Sequence, residues 1–214
     1  MAAPAKKENR SIYGVHPGIA MVQKWIAELK SKTGRSLDEW ISLVKEEGPA
    51  TEADRRVWLK EKHKLGTNSA CRIAERADGK GCEEDTPKSY LAIAPKYVDE
   101  QYSGKKESLR PIYERLLILA ASLGSDVKAC PGKSIVPLYR QHVFAQIKAT
   151  TNTRVDLGLA LTNYKGKLPK HAVETSGLAK KDRITHRIEL KPPSEIDDEA
   201  KKWLKISYEL DKTA

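Results

Sequence analysis

The apolar positions change their period near the middle of the chain. In the first third they recur at helical spacing. Ile19, Val22, Ile26 and Leu29, with Trp25 beside them, predict a helix over residues 16–32 that ends at Gly34. Ser36-Leu37-Asp38-Glu39 reads as a capping box, in which the serine hydroxyl and the Glu39 carboxylate satisfy each other's backbone amides. Leu37, Trp40, Ile41 and Val44 then share one face of a second helix, stopped at Gly48-Pro49. Thr51 to Asp54 opens a third, which is expected to bury Val57, Trp58 and Leu65 or their neighbours before Gly66 breaks it. A fourth is predicted from Ser69 to Ala77, with Ala70, Ile73, Ala74 and Ala77 inward. Three of the four tryptophans fall in this stretch, so aromatic burial supplies much of its expected core.

Residues 78–88 hold Gly79, Gly81, Pro87 and six charges, which reads as a linker, and Ser89 to Ala94 has no clear period. A helix is predicted over residues 105–123, where Leu109, Ile112, Tyr113, Leu116, Ala120 and Leu123 form a stripe. The period then drops to two. Strands are predicted at 126–130, 134–139, 142–149, 154–161 and 183–190, before a last helix carrying Ile196, Ala200, Trp203, Leu204 and Ser207. The short strand spacing requires antiparallel pairing, because parallel crossovers need a dozen or more residues. The expected fold class is α+β: a small N-terminal helical bundle plus a C-terminal, mainly antiparallel sheet covered by helices. The expected divisions are a flexible N-terminus (1–15), a helical domain (16–78), a linker (79–95) and an α+β domain (96–214).

Composition narrows the environment. No run of about 18 apolar residues exists, so no membrane span is expected. Met1 to Arg10 contains no apolar block, so no secretory signal is expected. Cys71, Cys82 and Cys130 are too few for a disulfide scaffold and suggest a reducing compartment. A cytoplasmic location follows as the expectation. The net charge is +10 over 214 residues, but it is uneven. Residues 96–191 carry 18 basic and 9 acidic side chains, while residues 192–214 are net acidic. The surplus therefore sits in the sheet region and the loop from Tyr164 to Arg187.

The residues also carry a family resemblance. Trp40 after the capping box, Trp58-Leu59-Lys60, and Leu65-Gly66 with Ala70 resemble a bacterial domain of unknown function catalogued as 4287. Leu123-Gly124, Phe144-Ala145, Val155-Asp156-Leu157-Gly158-Leu159, Thr185-His186-Arg187 and Trp203-Leu204-Lys205 resemble a second, catalogued as 5655. One departure stands out: the first family usually reads Gly-Leu-Gly before its fourth helix, and here Lys64 occupies the first glycine's place. The second domain is also distantly similar to a small α+β family that includes a frataxin-like iron chaperone. Neither domain implies an activity.

Catalytic motifs are thin. The sequence has no Gly-x-Ser-x-Gly, no phosphate-binding loop and no His-Glu-x-x-His. Gly79-Lys80-Gly81 reads as a turn, and the acidic cluster Glu195, Asp197, Asp198 and Glu199 suits a helix N-terminus. Leu59 to Ile73 partly resembles a helix-hairpin-helix, although a plain glycine turn accounts for Gly66 equally well. The leading expectation is a non-enzymatic binder of an anionic partner, such as nucleic acid. Its candidate contacts are Lys133, Arg140, Lys148, Arg154, Lys165, Lys167, Lys180, Lys181 and Arg183. With few aromatics nearby (Tyr139, Phe144, Tyr164), phosphate contact is favoured over base reading. The alternatives are a small-ligand or iron-binding module of frataxin-like type, and an enzyme of unrecognised kind using His142, His186 and Asp156. No cofactor or metal is assigned.

Overall fold

The computed structural model describes residues 12–168, 171–175, 177, 182–191, 196 and 198–212. Two compact units divide the chain: residues 15–93 form one, and residues 1–14 with 94–214 form the other.

The helical unit contains α1 (Gly18–Thr33), α2 (Leu37–Glu47), α3 (Glu52–Glu61), α4 (Thr67–Ala77) and the first residues of α5 (Pro87–Gln101). The Ser36–Glu39 capping box forms as expected, and the Thr51 hydroxyl caps α3. Leu29, Trp40, Val44, Leu59 and Ile73 are buried together. Two of the indole N–H groups at this core find hydroxyl partners: Trp40 donates to Thr33 Oγ1 at 2.8 Å and Trp25 to Ser69 Oγ at 2.9 Å, so these two rings pack with their polar atoms satisfied.

The stretch expected as a linker departs from that reading. Arg76 is only 4% exposed; it pairs with Asp85 and donates to the Gly81 carbonyl at 3.2 Å. A buried guanidinium needs such partners, so it ties the 3-10 turn Cys82–Glu84 to α4. Pro87, which looked like a loop residue, occupies the first position of α5, where its missing N–H costs nothing. Thr86 caps that helix, its hydroxyl accepting from the Ser89 amide at 3.1 Å.

The second unit is built on a six-stranded antiparallel sheet in the order β1-β2-β3-β4-β6-β5. The strands are β1 (Lys128–Ala129), β2 (Val136–Tyr139), β3 (Val143–Thr151), β4 (Arg154–Leu159), β5 (Val173–Glu174) and β6 (His186–Leu190). β5 lies inside the stretch read as a basic loop; at two residues it is too short to show a period. Residues 12–14, expected to be flexible, line the edge of β1 instead. Gly14 N donates to Ala129 O and Ala129 N to Ile12 O, both at 3.0 Å. The helix expected from residue 105 begins as a 3-10 turn (Gly104–Leu109), and α6 runs from Arg110 to Leu123. Pro111 accounts for this, since it has no N–H to continue an α-helical ladder from the preceding turn.

The last helix, α7 (Asp198–Asp211), packs over β3 and β4 with α6 beside it. Ile112, Leu116, Ala120, Trp203 and Leu204 join Leu138, Ile147, Leu157 and Leu159 in one core. Ser207 is fully buried on α7; its hydroxyl donates to Phe144 O at 2.5 Å and accepts from Ala160 N at 3.0 Å, linking the helix to two strands. Of the acidic cluster, Asp198 and Glu199 stand in the first turn of α7, while Glu195 and Asp197 lie outside the described residues.

Lys64 has φ +55°, the one left-handed non-glycine residue among those described. That conformation costs an L-residue about 1–2 kcal/mol, and a glycine there loses roughly 0.5–1 kcal/mol of chain entropy in return. Lys64→Gly is therefore expected to stabilise the helical unit by up to about 1 kcal/mol. Urea unfolding followed by tryptophan fluorescence measures it; a clear loss of stability would contradict the assignment.

Candidate anion-binding site

Register sorts the charged residues of the sheet. Directly opposed residues on antiparallel strands share a face. Ala145, Ile147 and Ala149 oppose Leu159, Leu157 and Val155, which oppose His186, Ile188 and Leu190. All nine are buried, and this is the face that α6 and α7 cover. The other face carries the rows Gln146–Gly158–Arg187 and Lys148–Asp156–Glu189. A Cβ on Gly158 would lie 2.6 Å from Gln146 Cγ and 2.7 Å from Ile184 Cγ2, so only glycine fits there.

Asp156 and His186 thus lie on opposite faces. His186 is buried, 2.9 Å from its neighbour's Thr185 Oγ1. His142 sits in the β2–β3 turn with Nδ1 3.2 Å from Asp211 Oδ1. The three residues considered for an unrecognised activity are not brought together. Among the described residues, no three His, Cys, Asp or Glu side chains form a group able to hold a metal. Cys130 is buried, which pushes its thiol up to about 12 and removes it as a nucleophile.

The arginines expected to meet anions are committed internally. Arg154 pairs with Asp156 at 2.9 Å and with Glu189 at 3.0 Å; Arg187 pairs with Glu189 at 3.1 Å. Thr150 Oγ1 adds a 2.7 Å hydrogen bond to Asp156. Two cations and two carboxylates leave this network neutral. Arg187, donating to Glu189, holds that carboxyl below its usual range. Arg140 pairs with Asp126 at 2.7 Å, lies 4.1 Å over the Tyr208 ring and donates to Tyr208 O at 3.2 Å. Arg183 pairs with Asp211 at 2.7 Å and donates to Val143 O at 3.2 Å.

Three lysines converge on one cleft. Lys133 and Lys148 line one cleft of about 350 Å³ together with Lys106, Glu100, Gln101, Ser134, Ala149 and Thr150. Three ammonium groups face one carboxylate there, and Glu100 is 3.8 Å from Lys96 outside the cleft. Lys106 Nζ donates to Ala149 O at 2.6 Å, which fixes its position and leaves two donors. Lys148 projects from the exposed side of β3 and makes no ion pair among the described residues. Lys165 and Lys167 are exposed in the loop after β4, while Lys180 and Lys181 lie outside the described residues. The nearby aromatics serve packing. Phe144 is fully buried against Tyr208, Tyr164 meets Trp203 edge-on at 5.2 Å, and Tyr139 is half-buried.

Three participants were not foreseen: Lys106, Gln101 and Asp211. Nothing local marks the first two, because they join the cleft from α5 and the turn after it. Asp211 did carry a signal. A carboxylate in the last turn of a helix is disfavoured by the helix dipole unless something specific holds it.

Residues 98–211 match the family model described as Domain of unknown function (DUF5655), and residues 21–79 match Domain of unknown function (DUF4287). No curated protein and no solved structure matches the chain. These matches give no support to the frataxin-like resemblance. No helix among the described residues is long and apolar enough to cross a membrane.

Asp211 has no exposed side-chain surface and accepts from the Gln141 and His142 amides, both at 2.9 Å, as well as from Arg183. Its removal strands two amides and one guanidinium. Asp211→Ala should therefore destabilise the sheet unit by about 3 kcal/mol. A loss under about 1 kcal/mol in chemical denaturation would show that these partners find water instead.

Proposed function

The chain belongs to the family described as Domain of unknown function (DUF5655); that family lends no chemistry, and we propose from the side chains that the protein is a non-enzymatic binder of nucleic acid. The cleft formed by Lys106, Lys133 and Lys148 meets phosphate, and the exposed Lys165 and Lys167 of the same unit add to its field. The observation that carries this reading is the convergence of cations: Lys106, Lys133 and Lys148, from three different elements, line one cleft whose lining holds a single carboxylate, Glu100. Lysine suits such contacts, since it acts as a mobile point charge on phosphate oxygens and reads no base. The buried aromatics fit the same picture, because stacking needs exposed rings.

A strand held by three such contacts follows counterion release, with a slope of log K against log salt near −2 for single strands. Fluorescence anisotropy with a labelled single-stranded oligonucleotide tests it across a salt series. Binding is expected at about 50 mM salt and should fall steeply towards physiological salt. Lys133→Ala with Lys148→Ala should flatten the slope by roughly 1–1.5. Lys106 is left in place because its hydrogen bond to Ala149 O is structural. No binding at about 50 mM salt, or an unchanged slope in the double variant, overturns the reading.

A further inference from the structure

The buried carboxylate at the end of α7 also holds an exposed imidazole. Asp211 accepts from the His142 backbone amide at 2.9 Å and faces His142 Nδ1 at 3.2 Å, so one side chain fixes that residue at two points. A carboxylate only accepts hydrogen bonds. Nδ1 therefore carries the proton, and Nε2, across the ring, keeps its lone pair. The His142 side chain is 49% exposed while Asp211 is wholly covered, so solvent reaches the ring from the edge turned away from Asp211. Arg183 donates through Nη2 to the same Asp211 oxygen at 2.7 Å, which makes its guanidinium a neighbour of the imidazole. Its Nε donates to Val143 O, and its Nη1 has no partner among the described residues. A nucleophilic nitrogen, a buried group that orients it and a cation beside it are the parts by which a side chain receives an anionic electrophile.

We propose that His142 Nε2 is a phosphoryl-accepting site, with Asp211 orienting the ring and Arg183 meeting a phosphoryl oxygen. The donor class is an N-phosphorylated compound, of which phosphoramidate is the simplest representative. The Nε2 lone pair forms a bond to phosphorus as the P–N bond of the donor breaks, and the leaving nitrogen takes that bond's electron pair and departs as the neutral amine. The Nδ1 proton stays on the ring, where the Asp211 carboxylate balances the imidazolium charge that forms. A phosphoryl group suits the site better than a neutral carbonyl, because a guanidinium pairs with anionic oxygens through its planar fork of donors. The site shares no residue with the lysine cleft, so the two readings stand or fall separately. The other histidines provide the contrast. His171 is exposed and has no hydrogen bond or ion pair among the described residues. His16 Nδ1 accepts from the Gly18 amide, His63 Nε2 is buried, and His186 is buried.

The test treats the full chain with phosphoramidate. Peptide mass spectrometry identifies the residue labelled, and phosphorus NMR identifies the ring nitrogen. His142 is expected to be phosphorylated on Nε2 roughly tenfold faster than His171, the worth of one hydrogen bond to a charged group. Arg183→Gln should lower the phosphorylation rate at His142 by about tenfold. It should leave the reaction of His142 with diethyl pyrocarbonate, a neutral reagent for the same nitrogen, largely unchanged. Labelling of His142 no faster than of His171 overturns the inference. Phosphate on Nδ1 overturns it as well, because Asp211 would then not be fixing the ring. An Arg183 variant that loses both reactions alike, or neither, removes the arginine from the site and overturns the proposal as stated. The comparison of His142 with His171 uses the unaltered protein, so it does not depend on how well the Arg183 variant folds.

Discussion

A carboxylate without exposed surface, Asp211, holds the last turn of α7 against the β2–β3 turn and the chain entering β6. Its position is unfavourable in isolation. The C-terminal end of a helix carries partial negative charge, and a buried anion there is opposed by both the dipole and desolvation. Arg183 supplies the countercharge, two backbone amides supply hydrogen bonds, and Arg140 donates to the Tyr208 carbonyl in the same turn. With that end fixed, Ser207 lies one turn back along α7 and bonds to both Phe144 and Ala160. Trp203 and Leu204 then fall onto the apolar face of the sheet. The register of the helix on the strands is thus set by polar groups, while apolar area provides the bulk of the attraction.

The same accounting applies to the arginines of this unit. Arginine forms bidentate, geometrically defined pairs with carboxylates, and in this sheet each described arginine of the candidate set has found one. Lysine holds its charge less rigidly. Lys148, placed by strand alternation on the uncovered face, joins Lys133 from the β1–β2 connection and Lys106 from the turn before α6. Their convergence follows from sheet topology, since the three residues are far apart in sequence. Gln101 completes the arrangement because the end of α5 meets the Gly132 carbonyl.

Much of the fold was legible in the sequence, for local reasons. The Ser36–Glu39 capping box, the Gly34 stop and the period-two runs of β3 and β4 depend on residues within a few positions of one another. Pro87 and Pro111 carry a local signal as well, since a proline is favoured at a helix start, and each begins or resets a helix. The candidate site was legible only in part. Lys133 and Lys148 were singled out and do line the cleft, whereas Arg140, Arg154 and Arg183 carried the same charge in the sequence and are paired in the fold.

By itself the sequence determined the class of each segment, the place where helical period gives way to strand period, and the excess of positive charge in residues 96–191. These are properties of neighbouring residues and of sums, which need no knowledge of contacts. Tertiary structure alone decided which of those charges meet a carboxylate and which line a common cleft. Whether a cation is neutralised depends on a carboxylate brought to within 4 Å, and the partners here lie from two to dozens of residues away. It also decided that His186 and Asp156, three rungs apart in parity, occupy opposite faces of one sheet. An odd offset between strands reverses the face, so chemistry that looks adjacent in a sequence can be separated by a layer of backbone.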